Sequence, residues 1–89
     1  MSTCEKNVIL INEDGLHARP AGILAKAAGQ FTSKIEISSN GITKNAKSIM
    51  SIMSMGLKTG DSILIKADGD DSNAALECLI NLFNNKFED

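Results

Sequence analysis

The hydrophobic pattern of the chain switches between a two-residue and a helical repeat, and polar or glycine punctuation marks each switch. Lys6 to Ile11 is rich in β-branched side chains and predicts a first strand, ended by the polar break Asn12-Glu13-Asp14-Gly15. Ala21, Leu24, Ala25 and Ala28 then recur at i, i+3, i+4 and i+7, the buried stripe of an amphipathic helix running from Ala18 to Gln30. Pro20 falls in its first turn, where a missing N–H removes no helix bond. Lys34 to Ser39 alternates, with Ile35 and Ile37 on one face. Asn40-Gly41 is the pair most favoured in a two-residue type I′ hairpin, so this strand should fold back on a partner that reaches Lys44–Ala46. Ser48 is placed to cap a short helix that stops near Gly56. Ser62 to Ala67 alternates again through Ile63, Ile65 and Ala67. Ser72 is placed to cap a last helix whose Leu76, Leu79, Ile80, Phe83 and Phe87 keep helical spacing.

The order β-α-β-β-α-β-α predicts an α+β fold, an antiparallel or mixed sheet with its helices on one face and the other face open to solvent. A ferredoxin-like binding module shares this coarse pattern, so fold alone does not choose a function. Residues 1–89 are long enough for one modest core and are read as a single domain. The longest aliphatic run, Val8 to Ile11, is far short of the roughly 20 residues that span a bilayer. The start MSTCEKN lacks the basic-then-apolar order of a signal peptide, so a mature cytoplasmic protein with no membrane insertion is expected. A net charge of −2, no Trp or Tyr and no basic stripe argue against direct nucleic-acid binding. Cys4 and Cys78 are far apart, with no CxxC or Cys/His spacing, so neither a metal, a cofactor nor a disulfide framework is expected.

One stretch stands apart. "GLHARPAG", residues 15–22, holds the chain's one histidine (His17), one arginine (Arg19) and one proline (Pro20). Together with "FTSKIEISSNG" (31–41), "AKSIMSIMSMGLKTG" (46–60) and "ADGDD" (67–71), in that order and spacing, it resembles the HPr family, histidine phosphocarriers of the bacterial phosphoenolpyruvate:sugar phosphotransferase system. The resemblance implies an open-faced β-sandwich, a four-stranded antiparallel sheet with three helices on one side. It also implies a phosphoryl carrier rather than an enzyme, accepting at Nδ1 of His17 from phosphorylated enzyme I and donating to enzyme IIA domains of sugar permeases.

Elementary chemistry fits this motif. An imidazole attacks phosphorus only through the lone pair of its neutral form. A helix N-terminus carries about half a positive charge on free amides, a ready anion site. The Ala18 amide and the Arg19 guanidinium are therefore the expected clamps on the phosphoryl oxygens, while Pro20 starts the helix rigidly and Gly15 allows the sharp turn before it. Asp14 stands where HPr proteins often carry a neutral polar residue, and a carboxylate facing His17 would repel phosphate.

In "KSIMSIMSMG" three of the four methionines fall within six residues, Met50, Met53 and Met55. Periodicity alone would allow Ile49 and Ile52 to be core. The segment resembles the Gram-positive type of HPr, which implies that Ser48 is a phosphoserine site for HPr kinase/phosphorylase. Catabolite control protein A is then a further implied partner of the Ser48-phosphorylated form. The resemblance also implies a partner-binding patch of Gly22, Ile23, Lys26, Ile49, Met50 and Met53 on a monomer. Two relatives compete with this reading: a purely regulatory HPr-like protein, which lacks the histidine present here as His17, and a nitrogen-branch HPr, which the Ser-Ile-Met segment disfavours.

Overall fold

A computed structural model describes residues 2–88. Its elements are β1 (Thr3–Ile9), α1 (Ala18–Gly29), β2 (Lys34–Ser39), β3 (Ile42–Asn45), α2 (Ile49–Ser54), β4 (Ser62–Asp68) and α3 (Ser72–Asn84). The strands form one antiparallel sheet in the order β1-β4-β2-β3, so the first and last strands in sequence pair at one side while the hairpin forms the other. Helix α3 lies against β1 and β4, and α1 packs between α2 and α3. This is the expected α+β open-faced sandwich.

The alternation places the core as the sequence pattern predicts. Ile63, Ile65 and Ala67 of β4 and Ile35 and Ile37 of β2 are buried, and the α1 stripe Ala21, Leu24, Ala25 and Ala28 closes on them. Asn40 and Gly41 both take positive φ (52° and 81°), as a type I′ turn requires. Gly56, with φ 61°, ends α2 in the left-handed conformation as its N–H bonds the Met53 carbonyl.

Several boundaries differ from the sequence expectation. β1 starts three residues before Lys6 because polar Thr3 and Glu5 pair with Asp68 and Lys66 of β4, and pairing supplies backbone bonds that hydrophobicity does not signal. It ends at Ile9, after which Leu10 turns fully into the core and Ile11 lies outside the strand, exposed. Helix α1 stops at Gly29, with Gln30 as its cap, β3 spans Ile42–Asn45, and β4 extends one residue to Asp68. Ser72 is not the cap of α3: Asp71 holds that position and Ser72 is the first helical residue, buried, its hydroxyl without a partner. The Asp71 carboxylate turns away from its own helix to accept from the Thr32 and Ser33 amides at 2.8 and 2.9 Å and from the Ser33 hydroxyl at 2.5 Å. Phe87 lies beyond the helix. The Lys86 and Phe87 amides close the end by bonding the Phe83 and Leu82 carbonyls, and the Phe87 ring packs edge-on to Phe83 at 4.8 Å.

Candidate functional site

His17 is the N-cap of α1. Its backbone is extended (φ −80°, ψ −168°) and its carbonyl accepts the first helix bond, from Ala21 N–H at 3.0 Å. Helix geometry leaves the preceding amides, those of Ala18 and Arg19, no carbonyl to donate to, and Pro20 has no N–H to leave unsatisfied. No acidic side chain occupies the first turn, and the His17 side chain makes no capping bond, so the imidazole stays exposed and unengaged by its helix.

The loop before His17 is held from the other side of the molecule. Gly15 has φ 70°, and a Cβ there would lie 2.5 Å from the Leu57 carbonyl oxygen. Glycine is therefore required both by conformation and by close approach. Leu16 N–H bonds that same carbonyl at 3.3 Å, and the Thr59 hydroxyl donates to the carbonyls of Asn12 and Glu13.

A hollow of about 110 Å³ opens beside the imidazole, lined by His17, Arg19, Pro20 and Ile23 with Asn12, Lys86, Phe87 and Glu88. Its first four lining residues come from the expected motif and its flank. Asn12 and the segment 86–88 were not expected there. A bond from Asn12 Nδ2 to the Lys86 carbonyl, 3.0 Å across 74 positions of sequence, joins them, and no local pattern announces it. Asp14 lines a neighbouring hollow with Glu13, Gly15, Leu57, Lys58 and Thr59, and is not among the residues that line the His17 hollow.

Ser48 caps α2: its Oγ accepts from Ser51 N–H at 3.2 Å. Ile52 is fully buried, whereas Ile49, Met50 and Met53 are 45, 76 and 42% exposed. On the adjoining α1, Lys26 is exposed and Gly22 and Ile23 are half-buried. The six expected patch residues thus occupy two helices that pack together, and Ile23 belongs both to this surface and to the rim of the His17 hollow. Cys4 and Cys78 are unpaired and half-buried. No helix among the described residues is long and apolar enough to cross a membrane.

A family model described as "PTS HPr component phosphorylation site" matches residues 4–85. The chain belongs to the HPr family. It is 47% identical over 73 residues to the phosphocarrier protein HPr of Mycoplasma capricolum, covering 82% of each chain. The crystal structure of HPr from Bacillus anthracis matches with a TM-score of 0.88 and 40% identity, over 93% of this chain and 99% of that one. An HPr from Thermoanaerobacter tengcongensis, solved as a dimer, matches with a TM-score of 0.78 and 39% identity over 92% and 94%. The open-faced sandwich is therefore that of solved HPr structures, and the protein is an HPr phosphocarrier of the phosphotransferase system.

Proposed function

We propose that the chain accepts a phosphoryl group on Nδ1 of His17 from phosphorylated enzyme I and passes it to enzyme IIA domains of sugar permeases. It acts in the cytoplasm, as a monomeric carrier of one domain rather than as an enzyme. The observation that carries this reading is the exposed, uncapped imidazole at the start of α1, beside Arg19 and over a hollow open to solvent. In transfer, the Nδ1 lone pair forms the new bond to phosphorus while the bond from phosphorus to the donor breaks, its electron pair leaving with the donor. The phosphoryl oxygens then face the Ala18 amide and the Arg19 guanidinium, which favour negative charge there.

Ser48 is the regulatory site in this reading, phosphorylated by HPr kinase/phosphorylase, and the phosphorylated form is the one offered to catabolite control protein A. Ser48 already serves as an N-cap, so a phosphate there replaces one oxygen acceptor by stronger ones and leaves the fold in place. It also adds negative charge at the edge of the apolar surface formed by Ile49, Met50 and Met53, where partners of the carrier would dock.

Incubation with enzyme I and phosphoenolpyruvate tests the central claim. One acid-labile phosphoryl group should appear, and His17→Ala should lose it entirely while keeping a native circular dichroism spectrum. Labelling retained in that variant would overturn the assignment.

A further inference from the structure

The His17 hollow has a second cation. Lys86 lines it together with Arg19, although the two residues lie far apart in the sequence. We propose that Lys86, held over the hollow by Asn12, is a second cationic ligand of the phosphoryl group on His17. This rests on the reading of His17 as the acceptor.

Three observations fix the Lys86 backbone at the hollow. The Asn12 Nδ2 bond to the Lys86 carbonyl joins the loop before His17 to the segment after α3. Lys86 and Phe87 both adopt left-handed backbone conformations, φ 55° and 59°, which are costly for side chains bearing a Cβ and persist only when the surroundings impose them. The surroundings do so through the two helix-closing amide bonds and the burial of Phe87, which is 3% exposed. The Asn12 amide is also committed to this tether. Its Oδ1 is buried without a partner, and reversing the amide would set that oxygen against the Lys86 carbonyl oxygen.

The charge balance favours a role with phosphate. Among the described residues that line the hollow, Arg19 and Lys86 are cationic and Glu88 is a carboxylate. Among the described residues the one salt bridge joins Lys34 and Glu36, so neither Arg19 nor Lys86 is paired with Glu88. A phosphoryl group brings more negative charge than Arg19 alone neutralises, and Lys86 supplies the remainder. Glu88 works against it.

The test uses the full chain labelled by phosphoramidate, a small donor that needs no protein partner. Its P–N bond breaks, ammonia leaves, and the new bond forms to the imidazole. The second ionisation of the bound phosphoryl group is then followed by phosphorus NMR against pH. A nearby cation favours the dianion and lowers that pKa. Lys86→Gln should therefore raise it by about half a pH unit, the size expected of one charge about 6 Å away in water-like surroundings. Glu88→Gln should lower it, and Lys58→Gln, in the neighbouring hollow, should leave it unchanged. Asn12→Ala should raise it like Lys86→Gln, and the double variant should add nothing further, because the tether acts through the lysine. If His17 is labelled and Lys86→Gln titrates as wild type, the lysine has no such role and the carrier reading stands. If the label is not on His17, both fall.

Discussion

Helices α1 and α2 start differently, and the difference lies in what the cap side chain does. At α2 the Ser48 hydroxyl accepts from Ser51 N–H, so one first-turn amide of a six-residue helix is satisfied by the cap side chain. At α1 the cap residue His17 leaves its side chain free and the first-turn amides unclaimed. Length explains why the chain tolerates this. A helix of barely two turns has little buried surface to hold it, Ile52 being its one buried residue, and needs its cap. Twelve residues with five buried side chains, Pro20 among them, anchor α1 well enough to leave its N-terminus open for a ligand. In the proposed reading a phosphoryl group on His17 would meet free first-turn amides, whereas one on Ser48 would meet a turn whose Ser51 N–H already has an acceptor.

The largest effect that would break this comparison lies at Arg19. Arg19→Ala should lower the turnover of phosphoryl transfer about a hundredfold with little change in the apparent KM, because the lost contact is made to the reacting group. Unaltered turnover would make Arg19 a bystander and the open helix end insufficient as an explanation. Next come the α2 surface variants. Ser48→Asp keeps a good capping oxygen but adds charge, and Met50→Ala removes the most exposed apolar side chain of the patch. Each should raise the apparent KM towards enzyme I several-fold, roughly 1 kcal/mol of docking, with turnover nearly intact. Wild-type kinetics for both would leave α2 as structure only.

Similar in size is the capping difference itself. Ser48→Ala should cost about 1 kcal/mol in denaturant unfolding, whereas His17→Ala, with no side-chain cap to lose, should cost far less. Equal losses would mean that the two helix ends are closed alike.

Asp71, the third helix cap, gives the mildest test. Hydrogen bonds from the Ser33 hydroxyl and the Thr32 amide lower its pKa from 3.8 to about 2. A depressed carboxylate pKa stabilises the fold above its unfolded value and loses that contribution as pH falls through the folded one. Thermal stability should therefore decline between pH 4 and 2 in the wild type, and Asp71→Asn should flatten that part of the profile. An unchanged acid slope would show that other carboxylates set it.

Local physics accounts for what was legible in the sequence. The stripe Ala21-Leu24-Ala25-Ala28, the alternation of Ile35 and Ile37, the turn at Asn40-Gly41 and the Ser48 cap each depend on residues within a few positions. Periodicity and turn chemistry act over that distance, and the structure contains all four. His17, Arg19 and Pro20 cluster visibly at a helix start, but their roles were legible only through the resemblance of the whole chain to the HPr family. Local physics thus determined the elements and their buried faces, and the family resemblance pointed to the candidate nucleophile. Tertiary structure decided what depends on meeting across the chain: the order β1-β4-β2-β3, the turn of the Asp71 carboxylate towards Ser33, and the tether from Asn12 to Lys86 that completes the His17 hollow. A strand edge, a carboxylate or an amide carries no local mark of its distant partner. Its partner is whatever the packed core brings within hydrogen-bonding distance, and only the assembled fold selects it.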